Sequence, residues 1–339
     1  MARDEKKRIR QAATLILLSP LTTVSLLWAQ ASLEEVHLQP PTPHAVLQPA
    51  ISGPASRMDA GIKPIRKSVD LVMVPVTVTD QKDHIILGLT QNNFQLFDGK
   101  KAQEIKHFSS EDAPTSVGIV LDLSRSMLKK MEWARQAVSE FCRMANPADE
   151  FFMVTFSDRP QLLSDFTPRV EDIESKLAFT AVQGRTAMLD AVYLALNQMR
   201  QARYQKRALL IISDGGDNHS RYTESEIRNL VKEADVSIYG IGIYDQGSQV
   251  PEEVYGPILL QEITELTGGR AFTIERPDLL PIVAAKVGTE LRNQYVLAYR
   301  PDQSARNGKW HKIKIKLSIP KSLWPVWIHS KAGYYAPSE

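Results

Sequence analysis

Three short segments carry side chains of the types and spacing that hold a hard metal ion. Asp122-Leu123-Ser124-Arg125-Ser126, Gly184-Arg185-Thr186 and Asp214-Gly215 together offer two carboxylates and three hydroxyls. Oxygen donors of this kind suit Mg²⁺, which keeps part of its water shell and so leaves positions open to an incoming ligand; Mn²⁺ and Ca²⁺ take the same donors. Each segment alone is weak. Asp-x-Ser-x-Ser arises by chance, a Ser ahead of a helix is commonly its cap, and a strand ending in Asp-Gly is an ordinary turn. Their order and their positions on element boundaries make them informative together.

The elements that must position them alternate in texture. SVGIVLDL (116–123) is almost wholly apolar, as in a strand covered on both faces, and Asp122 falls near its end. FFMVTFS (151–157), ALLIISD (208–214), VSIYGIGI (236–243) and AFTI (271–274) read as further strands. Helical stretches lie between them: one through Trp133, Ala137 and Phe141, and AMLDAVYLALNQM directly after Thr186. Another follows the capping-box form Thr223-Glu224-Ser225-Glu226, ILLQEITELTGG (258–269) is stopped by its glycines, and a last helix runs from about Pro277 to Leu291. The alternation predicts an α/β fold with a doubly wound, mainly parallel sheet. Ligands of such sheets bind outside the carboxyl ends of the strands, where all three segments fall.

DLSRS (122–126), GRTAMLDAV (184–192) and IISDG (211–215) resemble the three parts of the metal-ion-dependent adhesion site (MIDAS) of von Willebrand factor type A (VWA) domains. The resemblance implies a VWA-like domain over 114–293. It further implies that Ser124 and Ser126 bind the metal directly, that Thr186 does so directly or through water, and that Asp122 and Asp214 act largely through bound water. Asp214 would bind directly in a ligand-free state. The partner implied is a protein that supplies an Asp or Glu carboxylate to the remaining position. All five positions match. The flanks, GLTQNNFQLFDGKKAQEI and GKWHKIKIKL followed by KAGYY, are similar to those of an exported bacterial subgroup.

Outside the α/β block the chain turns to strands. In VDLVMVPVTVTD (69–80), Val72, Val74, Val76 and Val78 share one face, and Pro75 predicts an edge strand or a bulge. Asp98-Gly99 after FQLF (94–97) marks a hairpin. YVLAYR (295–300), WHKIKIKLSI (310–319) and VWIHSKAGYY (326–335) follow the block, with Lys312, Lys314 and Lys316 forming a solvated face. Neither end has enough strands for a sandwich, whereas together they have about six or seven. The α/β block is therefore expected as an insert in a small β-sandwich formed by residues 65–113 and 294–337.

The N-terminus reads as a leader. Arg3, Lys6, Lys7, Arg8 and Arg10 precede an uncharged apolar run from Ala12 to Trp28 and the small-x-small triplet Ala29-Gln30-Ala31. This is the form of a secretory signal over 1–31, followed by a Pro-rich linker over 32–64 and an exported, periplasmic or secreted chain. Membrane attachment would arise only through an uncleaved leader. Removing 1–31 takes away five basic and two acidic side chains, so the net charge of +2 becomes −1. That balance excludes a dedicated nucleic-acid binder. A single cysteine, Cys142, forbids intrachain disulfides.

Enzyme readings fare worse. Ser126-Met127-Leu128-Lys129 has the S-x-x-K form of penicillin-binding proteins, but no Asn follows Ser213-Asp214 and Lys331-Ala332-Gly333 has Ala at the third motif's centre. Ser124 stands where an aspartyl phosphatase needs an acid, Gly240-Ile241-Gly242 lacks a third glycine, and His107, His219, His311 and His329 show no zinc spacing. Two roles remain beside a minor hydrolase reading: an exported adhesion or recognition module, and an assembly component of a cell-envelope complex with a mainly stabilising metal.

Overall fold

Along the first strand Val74, Val76 and Val78 alternate with Pro75, Thr77 and Thr79, so one side is wholly apolar and the other mostly hydroxylic. This strand is β1 (Val72–Asp80), followed by β2 (Phe94–Asp98), β3 (Lys101–Gln103) and β4 (Ile105–Ser109). The α/β block comprises β5 (Thr115–Asp122), α1 (Met131–Arg143), β6 (Glu150–Phe156), β7 (Pro160–Thr167), α2 (Val170–Ala178) and α3 (Met188–Gln198). It continues with β8 (Lys206–Ser213), α4 (Glu224–Glu233), β9 (Ser237–Ile243), α5 (Pro251–Thr267), β10 (Ala271–Ile274) and α6 (Leu280–Arg292). The chain then forms β11 (Tyr295–Tyr299), β12 (Trp310–Leu317), β13 (Val326–Ser330) and β14 (Gly333–Tyr335). The computed structural model describes residues 71–244, 251–302, 307–320, 323 and 325–336; the leader and Pro-rich segment expected over 1–64 lie outside them.

The α/β sheet has the order β10-β9-β8-β5-β6-β7, parallel except for β7 at one edge. Every residue of β5 is buried. Val117, Ile119 and Leu121 face a core shared with α1, α2 and α6, while Val120 faces a second core with α3, α4 and α5. A Cβ on Gly118 would stand 2.3 Å from the Phe152 ring and 2.4 Å from Leu209, so hydrogen is what fits there. Strand β7 and helix α2 had no clear sequence signal: β7 is an exposed edge strand of mixed polarity, and α2 has nine residues. Helix α5 starts at Pro251, seven residues before the apolar stretch that revealed it. Gly268 ends it with φ +84°, the left-handed conformation expected of a glycine C-cap.

Both flanks join in one sandwich. Its sheets have the orders β13-β1-β11-β4 and β14-β12-β2-β3, eight strands among the described residues rather than six or seven. Their shared core holds Val74, Val76, Val78, Leu96, Tyr295, Leu297, Ile313 and Ile315, while Lys312, Lys314 and Lys316 are exposed. Strand β1 corrects the edge reading drawn from Pro75, because it has a neighbour on each side. It pairs β11 over Val72–Val76 and β13 only from Val76 onward. Pro75 therefore sits where β1 has one partner, and its missing N–H costs no bond on the other side.

The hydroxylic side of β1 faces the α/β block. Thr77 and Thr79 are fully buried, and His329 lies opposite Thr77. Nearby, the Arg270 guanidinium reaches Glu290 Oε1 and Asp83 Oδ1, each at 2.7 Å, and Lys286 also pairs with Asp83. Glu290 is fully buried and its Oε2 has no partner among the described residues, nor have the Thr77 and Thr79 hydroxyls or His329 Nε2. Burial pushes Glu290 up to about 7 despite Arg270, and burial together with the Arg270 charge pushes His329 down to about 4. A Glu that holds its proton more tightly when folded contributes stability that is full below pH 4.5 and is lost as the pH rises through about 7. His329 works in the opposite sense, losing its contribution as pH falls from 6.5 toward about 4. Comparison with a Glu290→Gln variant isolates the first term. Urea titrations from pH 4.5 to 8 are expected to show wild type losing about 3 kcal/mol relative to Glu290→Gln, most of it by pH 7.

Candidate metal centre

The register of two neighbouring strands sets the centre. Leu121 of β5 lies opposite Ile212 of β8, so Asp122 and the pair Ser213-Asp214 emerge side by side at the carboxyl edge. After Asp122 the chain turns into a short 3-10 segment, Arg125–Lys129, ahead of α1. The turn is held by Asp122 itself, whose Oδ1 accepts the Ser124 N–H at 2.7 Å. Ser124 and Ser126 bring their Oγ atoms to 3.0 Å, and the Ser126 hydroxyl donates to Asp214 Oδ1 at 2.7 Å.

The loop carrying Thr186 is stitched to the first turn by its backbone. Gln183 N–H donates to Leu123 O at 2.8 Å and Arg125 N–H to Gly184 O at 3.1 Å. Gly184 has φ +85°, and a Cβ there would lie 2.6 Å from the Asp158 carboxylate, so a larger residue would push the loop away. The Thr186 side chain makes no hydrogen bond to the other four residues. Its Oγ1 nevertheless lies 3.9 Å from where a Cβ on Gly215 would stand, which places it against the Asp214 turn. The structure thus gathers Asp122, Ser124, Ser126 and Asp214 in one network with Thr186 alongside. Asp122, Ser124, Thr186 and Asp214 are buried, whereas Ser126 is exposed and forms the open side.

Several positioning residues carried no clear sequence signal. Ser213 donates from Oγ to Asp122 Oδ2 at 2.6 Å, so both Asp122 oxygens are engaged by the protein. Asp217 and Asn218, just after Asp214 in the chain, use their side chains to hold the neighbouring loop and helix. Asn218 Oδ1 accepts the Thr186 N–H at 3.0 Å, and Asp217 Oδ2 accepts the Leu189 N–H at 2.8 Å in the first turn of α3. Asp190 accepts the Arg221 and Tyr222 N–H groups and pins the same loop. Lys130, the residue before α1, places Nζ 2.5 Å from Asp214 Oδ2. Its only sequence signal is a basic residue four positions after Ser126.

Burial is the main cause that raises Asp122, to about 6, and the Asp214 charge adds to it against the donors Ser213 and Ser124. The buried Tyr244 phenol is raised by burial and then by the same two carboxylates. Two buried carboxylates thus lie near one another in the centre, among hydroxyl oxygens. Among the described residues no three His, Cys, Asp or Glu side chains gather as a metal cluster; here two carboxylates act with hydroxyls. That donor set, hard and oxygen-only, fits a divalent cation of the Mg²⁺ type.

Residues 117–216, within the α/β block, match the family model of the von Willebrand factor type A domain. An uncharacterized protein of Borreliella burgdorferi is 24% identical over 188 residues, 48% of this chain. The match spans 54% of that relative, about half its length. Among solved structures, a von Willebrand factor type A protein from Catenulispora acidiphila is 10% identical, with a TM-score of 0.47, over 81% of this chain and 76% of that one. A conserved hypothetical protein BatB from Bacteroides thetaiotaomicron is 18% identical, with a TM-score of 0.42, over 52% of this chain and 98% of that one.

Ser213 offers a direct check of the geometry. Ser213→Ala leaves Asp122 Oδ2 buried without its donor, and is expected to lower stability by about 1–3 kcal/mol in guanidinium denaturation with EDTA present. An unchanged midpoint would show that Asp122 does not depend on this bond.

Proposed function

We propose that the von Willebrand factor type A domain of this chain is an exported protein-binding module that captures a partner's Asp or Glu carboxylate through a divalent cation, most simply Mg²⁺. The observation that supports this is the convergence of five oxygen-bearing residues on a centre with one open side, at Ser126. Ser124 and Ser126 would hold the cation directly, and Thr186 directly or through water. Asp122 has both oxygens engaged by Ser213 and the Ser124 N–H, which suits a role through bound water. Asp214 balances the charge from the second strand. A cation bound by few anionic groups stays electrophilic, and that is the chemistry it supplies: attraction for an outside carboxylate.

The serines do not suggest a nucleophile. Ser124, Ser126 and Ser213 bond to carboxylates or to each other, and no histidine hydrogen-bonds to them among the described residues. Among those residues no helix is long and apolar enough to cross a membrane. Export follows from the leader reading of 1–31.

Thermal unfolding in EDTA and in millimolar MgCl₂ or MnCl₂ tests the metal. Saturation at a hundred times the dissociation constant is expected to add about 2.7 kcal/mol, seen as a raised Tm that Thr186→Val diminishes. Superimposable curves with and without metal would overturn the reading. Capture from an envelope fraction, carried out with Mg²⁺ and again with EDTA, tests the partner. A folded Asp122→Ala protein that no longer captures supports recognition; a folded one that captures normally supports the assembly role.

A further inference from the structure

The Lys130 ammonium is a charge at the centre that the reading above leaves without a role. It stands 2.5 Å from Asp214 Oδ2, while the other oxygen of the same carboxylate accepts the Ser126 hydroxyl at 2.7 Å. The Asp214 carboxylate is wholly buried, and the lysine side chain is 24% exposed. A buried carboxylate demands a counter-charge, and this one has a cation inside the protein. We infer that Lys130 is a built-in competitor of the divalent cation, which sets the affinity of the centre by holding Asp214. The inference rests on the metal-centre reading.

The argument is one of charge and reach. A divalent cation among Ser124, Ser126 and Thr186 would sit on the Oδ1 side of Asp214, with the ammonium on the Oδ2 side of the same group. Two cations on one carboxylate repel, through a buried medium that screens weakly. Binding of the metal must then displace the lysine or bear its repulsion, and either outcome weakens binding. Displacement is feasible because a lysine side chain is a flexible four-carbon stem ending in a compact charge, here already partly in solvent. Arg125, Lys129 and Arg185 are also basic neighbours of the centre, but Lys129 is exposed and Arg185 pairs with Asp158. Among the described residues Lys130 is the one cation hydrogen-bonded to a centre carboxylate.

The experiment is titration of the purified protein with MnCl₂, with free Mn²⁺ read by electron paramagnetic resonance. Wild type is compared with Lys130→Met, Lys130→Gln and the control Lys129→Met; the Gln variant keeps a hydrogen-bond donor should the Met variant fold poorly. Removing the charge is expected to tighten Mn²⁺ binding by about tenfold or more in both Lys130 variants and to leave the control near wild type. In EDTA the Lys130 variants are expected to melt below wild type, because Asp214 loses its counter-charge. Binding seen only in the Lys130 variants would also support the inference. Equal or weaker Mn²⁺ binding in those variants, with wild type binding normally, would overturn it and leave the metal centre standing. The absence of Mn²⁺ binding in every protein would overturn both.

Discussion

Two adjacent parallel strands, one ending in Asp122 and the other running directly into Asp214, bring two negative charges together at one edge. Strand register places Asp122 beside Ser213-Asp214, and the burial of β5 and β8 leaves neither carboxylate free to retreat into water. The rest of the edge answers this constraint. Ser213 and the Ser124 amide take both oxygens of Asp122, while Ser126 and Lys130 take those of Asp214. Thr186 completes the wall from a loop tied by backbone bonds to the first turn and by Asn218 to the third.

The sandwich gives this edge a fixed mount at the opposite end of the sheet. Strand β4 leads into β5, and α6 leads out into β11, which pairs with both β4 and β1. Entry and exit of the inserted domain are therefore hydrogen-bonded neighbours. The loop before β5 is anchored where the Asp149 carboxylate accepts the Thr115 N–H at 2.6 Å. At the exit, Gln294 donates to the buried Tyr239 hydroxyl at 3.1 Å. Close approach continues at the end of α5, where a Cβ on Gly268 would lie 2.4 Å from the Lys331 amide nitrogen.

The parts legible in the sequence were those whose signals are local. Buried central strands announce themselves as apolar runs, the Thr223 capping box by spacing, and the Asp98-Gly99 hairpin by its dipeptide; Gly99 has the positive φ (59°) that the turn requires. The three site segments were visible because each ends a strand or begins a helix. What escaped depended on partners distant in sequence. Asn218 and Asp217 look like turn residues until the loop folds back on Thr186 and α3, about thirty positions earlier. Pro75 misled because a strand can lie inside a sheet and still lack a neighbour at one position. Lys130 is one of two consecutive lysines, and only the fold shows which of them reaches Asp214.

Two acidic groupings among the described residues pair with different cations, and the cations explain their different characters. At the junction of sandwich and α/β block, Arg270 divides its guanidinium between Glu290 and Asp83, with its side chain only 15% exposed. An arginine fork in that position is a permanent bridge: it stays charged, binds through fixed geometry and has little solvent into which to withdraw. At the carboxyl edge the counter-charge is a lysine, a single mobile point charge, beside an exposed serine and a row of hydroxyls. Such a cation can be exchanged for a better one. The junction therefore uses its electrostatics to hold sandwich and α/β block together, whereas the counter-charge at the edge is of the kind the proposed metal ion would displace. A locked counter-ion at the junction suits a structural role, and a loose one at the edge suits the proposed exchange for a metal ion.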